Sequence, residues 1–261
     1  MEIIRQPAVA GSFYPANPEY LQDMVNLYLE EAPLVDNVPK AMIVPHAGYI
    51  YSGAIAASAF ARLKAGANTI KRVVLVGPSH RLGFKGLAVS HAKFFNTPLG
   101  KVPLDMKAIQ ALLDLPFVKY LDEAHFLEHS LEVQLPFLQT VLHDFSLIPI
   151  VTGDASAEQV SEALELFYDD AHTVIVISSD LSHYHDYTTA QRLDKETNDK
   201  IESLQYHALE RDAACGRVPV CGLLALAQKK SLHIKNIDLR NSGDTAGDKK
   251  QVVGYGAYVI N

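Results

Sequence analysis

The chain has 261 residues, of which 48% are apolar and 20% charged, and its formal net charge is −7. This is the composition of a globular protein with a sizeable core, and the acidic balance argues against a nucleic-acid-binding protein, which needs a basic face. No apolar stretch approaches the roughly 18 residues of a membrane span, and the segment from Met1 to Pro15 lacks a signal pattern, so we expect a cytoplasmic protein without membrane contact.

Apolar residues recur at helical spacing in some segments and form short unbroken runs in others. The predicted helices cover residues 18–31, 52–61, 105–113, 128–142, 156–168, 188–204 and 220–229. The predicted strands cover residues 40–45, 72–76, 86–90, 146–151, 173–177, 234–239 and 252–260. Helices and strands alternate, and the sequence contains no linker, repeat or low-complexity tract. The pattern therefore predicts an α/β fold, a layered sheet flanked by helices that forms a single domain over residues 1–261.

The first, second and fifth predicted strands each run into a histidine, namely His46, His80 and His183. In an open α/β sheet, ligands bind in the crevice outside the carboxyl ends of the strands. Neutral imidazole binds iron, zinc and copper. If the three strands are neighbours, their histidines converge, and the sequence predicts a metal site. Taken singly, each histidine has a second interpretation, since it could cap a helix or bond to a loop.

Asp180 lies three residues before His183, so one helical turn would bring both side chains to the same face. Its carboxylate could accept the second N–H of a metal-binding imidazole and thereby orient the ring. Alternatively it caps a turn, with a surface histidine beyond it. His185 follows closely and is a competing donor to His183.

His129 and Glu132 lie at positions i and i+3 of the helix predicted at 128–142, which Pro136 is expected to kink or split. Both are candidate catalytic residues. The competing interpretation is that acidic residues in the first turn of a helix are favoured by its dipole.

Asp244 lies in a Gly/Asp-rich turn between the last two predicted strands, where its carboxylate could bind a metal or form an Asx turn. Cys215 and Cys221 have neither zinc-knuckle nor redox C-x-x-C spacing, so we expect buried, inert thiols, and a Cys215 nucleophile has no obvious partner. The sequence contains no dinucleotide-binding, Walker A or nucleophile-elbow motif, which leaves nucleotide-dependent and serine-hydrolase chemistry unsupported.

Taken together and in this order, the motifs resemble those of the Memo family over essentially the whole chain. The resemblance is carried by Ser12-Phe13-Tyr14-Pro15, Pro45-His46-Ala47-Gly48-Tyr49, Gly77-Pro78-Ser79-His80, His129-Ser130-Leu131-Glu132, Ser178-Ser179-Asp180-Leu181-Ser182-His183 and Cys215-Gly216-Arg217. The Memo family is similar in fold to the class III extradiol dioxygenases, which are non-haem iron enzymes that cleave catechol rings. The resemblance thus implies this fold and an iron-binding pocket.

By resemblance, His46 and His80 match the two histidine ligands, His183 the histidine that acts as base, and Asp180 an acidic residue of the same pocket. The eukaryotic family member has a cysteine near its C-terminus at the metal site, where the dioxygenases have a glutamate. No cysteine occurs at residues 240–248 here, and Cys215 is expected to match a different family position.

Asp244 is then the nearest carboxylate to complete a two-histidine-one-carboxylate Fe(II) site. Without it, His46, His80 and His183 form a three-histidine site, more suited to zinc or copper.

Three functions follow as hypotheses. The first is a metal-dependent oxidoreductase that binds Fe(II) and a small phenolic or bidentate substrate, with His183 and Asp180 in acid–base roles. The second is a non-catalytic module that binds a peptide in the same pocket, as the eukaryotic member is described to bind phosphotyrosine peptides. The third is an accessory partner of a radical-SAM enzyme, because prokaryotic family members are often encoded beside radical-SAM and AMMECR-type proteins.

Overall fold

A computed structural model describes residues 2–33, 35 and 37–261. Within them, the α-helices are α1 (Pro18–Glu31), α2 (Tyr49–Phe60), α3 (Met106–Leu112), α4 (Glu123–Phe126), α5 (Leu135–Val141), α6 (Ala157–Tyr168), α7 (Tyr187–Glu202) and α8 (Arg217–Lys229). The strands are β1 (Ile4–Arg5), β2 (Ala41–Val44), β3 (Arg72–Pro78), β4 (Leu87–Val89), β5 (Phe94–Thr97), β6 (Gly100–Pro103), β7 (Val118–Tyr120), β8 (Ser146–Thr152), β9 (Thr173–Ser178), β10 (His183–His185), β11 (Ile234–Asn241) and β12 (Val252–Ile260). No helix among the described residues is long and apolar enough to cross a membrane.

The main sheet of the described chain has nine strands in the order β10-β12-β2-β9-β3-β8-β4-β7, with β11 paired to β12. Its centre is parallel, since β2, β9, β3 and β8 run in one direction, while β12 is antiparallel to β2 and β4 is antiparallel to β8. The parallel strands are almost wholly buried, which explains why they are near-continuous apolar runs in the sequence. The predicted α/β layered sheet flanked by helices is thus confirmed.

Two groups of helices pack on this sheet. Helices α6 and α8 pack against each other and contact β9, and α8 also contacts β3. Helices α1, α2 and α5 form the second group, in which α2 contacts β2 and β12. A separate three-stranded sheet, in the order β1-β5-β6, carries the N-terminal segment. The strands that precede the predicted histidines therefore lie in the interior of the fold.

The segment predicted as one helix over residues 128–142 differs from the prediction. Only a short 3₁₀ helix (Glu132–Gln134) and α5 form, with Pro136 in the first turn of α5, and residues 127–131 are irregular. The apolar spacing is nevertheless meaningful, because Leu131, Leu135 and Leu138 are all buried. The α-helix begins only at Leu135 because Pro136 has no backbone N–H to donate and its ring clashes with a helical carbonyl four residues earlier, as the sequence predicted.

Glu132 joins this irregular segment to the N-terminus. Its fully buried carboxylate is paired with the Arg5 guanidinium and accepts the N–H groups of Ala8 and Val9 at 2.7 and 3.0 Å. The Tyr14 hydroxyl donates to the same carboxylate at 2.5 Å. Burial, followed by the charge of Glu132, raises the pKa of Tyr14, so this hydroxyl stays protonated. Both carboxylate oxygens of Glu132 thus bind groups of residues 5–14. The side chain therefore has a structural role, which is to hold the N-terminal segment in place.

We expect the substitution Glu132→Ala to lower the free energy of unfolding by about 3–5 kcal/mol, because it leaves the buried Arg5 guanidinium without its carboxylate partner. Glu30→Ala removes an exposed carboxylate from α1 and is the control, with an expected change within about 0.5 kcal/mol. Urea unfolding of both variants tests this. Equal free energies of unfolding for the two variants would contradict a stabilising role for Glu132.

Candidate functional site

Strands β2, β9 and β3 are neighbours, as the sequence analysis required. Val44 at the end of β2 pairs with Ser178 at the end of β9, and Ile177 of β9 pairs with Val76 of β3. Because the strands are parallel and in register, their carboxyl ends are level. The segments that follow them therefore open into the same crevice, which contains His46, His80 and His183.

His46 lies at the bottom of this crevice with only 2% of its surface exposed. Its backbone N–H donates to Asp180 Oδ1 at 2.7 Å, and its ring Nδ1 lies 2.9 Å from Ser178 Oγ. Burial, together with the nearby His80, lowers the pKa of His46 to about 3, so the imidazole is neutral at physiological pH. A neutral imidazole is the form that binds a metal ion.

His80 is bound by a buried carboxylate. Glu128 accepts the His80 backbone N–H at 2.6 Å and lies 2.8 Å from its ring Nδ1. Although burial raises it, the hydrogen bonds and charge of His80 dominate and lower the pKa of Glu128 to about 2. The ionised carboxylate fixes the orientation of the ring, and sequence analysis did not single out Glu128.

His129 completes a cluster of three rings. It stacks on His80 with the ring centroids 4.5 Å apart and meets His46 edge-on at 5.4 Å, while Phe13 lies 4.7 Å away on its other side. Burial, followed by the charge on His46, lowers the pKa of His129 to about 4. His129 therefore lines the same pocket as His46 and His80, and it does so from the irregular segment rather than from the predicted helix.

Cys215 is the residue whose position the sequence analysis missed. Its Sγ lies 3.2 Å from His46 Nε2, opposite the ring nitrogen that faces Ser178. The Asp180 backbone N–H donates to the same sulfur at 3.3 Å. Burial, followed by the charge of Asp180, raises the pKa of the thiol. Cys215 thus lines the pocket, which the sequence analysis did not predict, whereas Cys221 is buried outside it.

The residue after Cys215 explains this position. A Cβ atom at Gly216 would lie 2.6 Å from Ser179 Cβ and 2.7 Å from the Ser178 carbonyl oxygen. Only glycine lets the start of α8 approach the end of β9 so closely. The Cys-Gly pair is a local signal for this close approach, but the sequence does not say which strand the glycine meets.

Asp180 and His183 lie on the side of the pocket next to Cys215. Asp180 is buried, and burial raises the pKa of its carboxyl group. His183 Nδ1 lies 2.8 Å from the Leu181 carbonyl oxygen, which can only accept, so this nitrogen donates. The Nε2 atom of the neutral ring is then the free base.

Two of the predicted site residues lie elsewhere. Glu132 is bound to Arg5 and the N-terminal backbone, and it is absent from the lining of the pocket. Asp244 is exposed, accepts the Tyr187 hydroxyl at 2.5 Å and the Asn241 N–H at 2.9 Å, and joins no group of potential metal ligands among the described residues. The structure therefore does not bring Asp244 close to His46 and His80. The third potential ligand beside these two histidines is Cys215 instead.

In the part of the chain that the structure describes, potential ligand atoms form three groups, and within each group they lie within 4.8 Å of one another. The first group is His46, His80 and Cys215, and the others are His80 with Glu128 and His129, and Cys215 with Asp180 and His183. In the second group the Glu128 carboxylate already accepts hydrogen bonds from His80, His129 and Ser130. The first group has two imidazoles and a thiol facing one point.

These groups open into a cavity of about 1150 Å³. Aromatic side chains from several elements form much of its wall, namely Phe13, Tyr51, Tyr184 and Tyr255, and Lys250 contributes a positive charge. Tyr184 is 71% exposed and has a φ of +61°, which is uncommon for a bulky residue. The site thus combines a buried ligand cluster with a wide, partly aromatic entrance.

Comparison with known proteins gives a consistent assignment. A family profile described as Memo-like protein matches residues 5–259. A MEMO1 family protein of Aquifex aeolicus is 36% identical over 97% of both chains, and one of Methanosarcina acetivorans is 36% identical over 98% of this chain and 99% of its own. An uncharacterised Escherichia coli K12 protein has a similar fold, with a TM-score of 0.55 at 14% identity, over 84% of this chain and 98% of its own.

We expect Glu128→Ala to lower the melting temperature by about 4–8 °C, since the backbone N–H groups of His80, His129 and Ser130 lose a charged acceptor. Glu123→Ala removes an exposed carboxylate from α4 and should leave the melting temperature nearly unchanged. Differential scanning calorimetry of the two variants makes the comparison. An equal decrease in melting temperature for both variants would show that Glu128 does not stabilise the loop that contains His80.

Proposed function

The chain belongs to the Memo family, and we propose that it is a metal-dependent oxidoreductase whose ion binds to His46, His80 and Cys215. The observation that carries the proposal is the convergence of these three potential ligand atoms within 4.8 Å of one another at one end of a cavity. Our first choice of metal is iron, with zinc or copper as alternatives.

The donor set fits a transition metal. Two neutral imidazoles suit iron, zinc and copper alike, and the thiolate of Cys215 also suits copper and zinc. Metal binding displaces the thiol proton, which offsets the effect of burial on this group. The resemblance to non-haem iron dioxygenases is what favours iron. With a cysteine in place of the expected Asp244, two histidines and one thiolate would hold the ion.

Bound Fe(II) would supply O₂ activation and a coordination site for a bidentate phenolic substrate. The protein residues would supply acid–base chemistry and orientation. Nε2 of His183 is the free base on the neighbouring wall, because Nδ1 donates to the Leu181 carbonyl. It could accept the proton of a substrate hydroxyl. The neighbouring Asp180 braces the backbone of His46 through its Oδ1 atom.

The wall of the cavity suits a small aromatic or similarly flat substrate. Phe13 packs on His129, so its ring lies beside the ligand cluster, and Tyr51 and Tyr255 line the same cavity. Aromatic walls favour aromatic ligands through stacking and edge contacts. This composition is why we propose a phenolic substrate class.

Metal content tests the site. We expect about one metal ion per chain in protein purified without oxygen, and at least a tenfold lower content in His46→Ala, His80→Ala and Cys215→Ala, because each variant loses one ligand. Elemental analysis by mass spectrometry measures this content and identifies the metal.

Asp244→Ala is the matched control, because Asp244 is exposed and outside the cavity lining. It should retain the metal content of the parent protein. Loss of metal from Asp244→Ala but not from Cys215→Ala would contradict the proposed ligand set and favour the two-histidine-one-carboxylate site.

Turnover tests the base. With the iron-loaded protein and a panel of catechols, we expect substrate-dependent O₂ uptake that falls about 10²- to 10⁴-fold in His183→Gln, the range expected for loss of a general base. Iron content should be unchanged in this variant. An oxygen electrode provides the measurement.

His185→Gln is the control for His183, because His185 is close in sequence but does not line the cavity. It should keep the parent rate. If the iron-loaded parent takes up no O₂ with any catechol, ring cleavage is the wrong reaction.

A binding role is the second candidate function, and the width of the cavity favours it. A volume of about 1150 Å³ with an exposed Tyr184 and Lys250 at its wall exceeds what a single phenol fills. A peptide side chain, or a surface of a radical-SAM or AMMECR-type partner protein, could enter it without turnover. Failure of the parent protein to bind iron, zinc or copper after reconstitution would favour this function.

A further inference from the structure

We propose that Ser178 is a positioning residue that fixes the ring tautomer of His46, with Nδ1 protonated and the Nε2 lone pair directed at Cys215. The inference deepens the proposed metal site and rests on it for its consequence, but it is testable on the metal-free protein. It follows from a buried chain of hydrogen bonds that runs from the Pro45 carbonyl through Gln134 and Ser178 to the ring of His46.

The first step concerns the carboxamide of Gln134. Its Nε2 atom lies 2.9 Å from the Pro45 carbonyl oxygen and 2.8 Å from Ser178 Oγ. A carbonyl oxygen can only accept, so the NH₂ end of the carboxamide must face Pro45. The two N–H groups of Gln134 are then both used, and the second donates to Ser178 Oγ.

The second step concerns the hydroxyl of Ser178. Its oxygen lies 2.6 Å from the Ser130 carbonyl oxygen, which again can only accept, so the single hydroxyl proton is directed there. One lone pair of the hydroxyl accepts from Gln134. The remaining lone pair faces His46 Nδ1 at 2.9 Å, and Nδ1 must therefore donate.

The third step concerns His46 itself. A neutral imidazole with a proton on Nδ1 has its lone pair on Nε2, the atom 3.2 Å from Cys215 Sγ. Ser178, Gln134 and His46 are 0%, 1% and 2% exposed, so bulk water cannot replace any of these partners. The tautomer of His46 therefore follows from which atoms in this series of hydrogen bonds can donate and which can only accept.

His80 obeys the same logic through Glu128. The carboxylate can only accept, so the Nδ1 atom at 2.8 Å donates, and in a neutral ring Nε2 then has the lone pair. Ser130 links the two histidines, because its N–H donates to Glu128 at 2.9 Å and its carbonyl accepts from Ser178. Each ring, when neutral, is therefore held in the tautomer whose Nε2 can bind a metal.

The test is long-range ¹H–¹⁵N correlation NMR of the metal-free, ¹⁵N-labelled full chain at a pH where the imidazoles are neutral. The peaks of His46 are identified by their loss in His46→Gln. We expect the pattern of a ring protonated at Nδ1. The pattern of a ring protonated at Nε2 in the parent protein overturns the inference, whatever the variants do.

The substitution Ser178→Ala removes the acceptor, and the His46 proton should move to Nε2, where Cys215 can accept it. Ser178→Thr keeps a hydroxyl and should restore the Nδ1 pattern. Ser182→Ala is the matched control, because Ser182 is equally buried and its Oγ has no hydrogen-bond partner among the described residues. An unchanged His46 pattern in folded Ser178→Ala overturns the inference.

The consequence for metal binding is measured separately by competition with a chelator, using Fe(II) and Zn(II). We expect the dissociation constant of Ser178→Ala to rise about 10- to 100-fold, with Ser178→Thr and Ser182→Ala close to the parent protein. A parent protein with the Nδ1 pattern that binds neither ion upholds the tautomer and rejects the proposed metal site. An unchanged dissociation constant in Ser178→Ala rejects the positioning role.

Discussion

The requirement that buried carboxylates be satisfied organises the structure around residues 128–134. Glu128 and Glu132 are both almost inaccessible to solvent, and an ionised carboxylate is buried only where charges or N–H groups compensate it. Glu132 obtains these from the N-terminal segment, and Glu128 from the loop that carries His80. Pro136 prevents a continuous α-helix over residues 128–142. In the irregular backbone before it, the Ser130 N–H donates to Glu128 and the Ser130 carbonyl accepts from Ser178, so this residue contacts the hydrogen-bond partners of both His80 and His46.

Register in the parallel sheet is the second constraint. Because β2, β9 and β3 end at the same level, residues as distant in sequence as His46 and His183 meet at one crevice, where the rings of His46 and His80 lie 5.1 Å apart. The strands are buried on both faces, and a shift in their pairing would misplace an entire hydrophobic run. The precision of the ligand cluster is therefore derived from the same packing that stabilises the core.

The parts of this arrangement that follow from sequence are those that depend on local pattern. A strand buried on both faces is a visible apolar run, so the positions of His46, His80 and His183 at strand ends are predictable, and their convergence needs only the assumption of adjacency. Cys215 is not predictable in this way, because its approach to His46 depends on Gly216 meeting Ser178 and Ser179, a contact between elements distant in sequence. Asp244 is a reasonable candidate by position, yet its turn bonds to Tyr187 and faces solvent. Residues 128–131 were wrongly predicted as helical, because the spacing of apolar residues indicates which side chains are buried but not which group each backbone N–H bonds to.

The cavity is lined by two unlike sets of residues, one buried and one exposed. His46, Ser178 and Asp180 are buried and connected by hydrogen bonds to one another or to neighbouring backbone, so their geometry is rigid and expensive to change. Tyr184 and Lys250, by contrast, line the same cavity but are exposed. Substitutions there leave the hydrogen-bond chain intact while altering the shape and charge of the entrance. A fold arranged in this way can keep one ligand cluster and admit different molecules to it, which is why the cluster identifies a chemistry more firmly than it identifies a substrate.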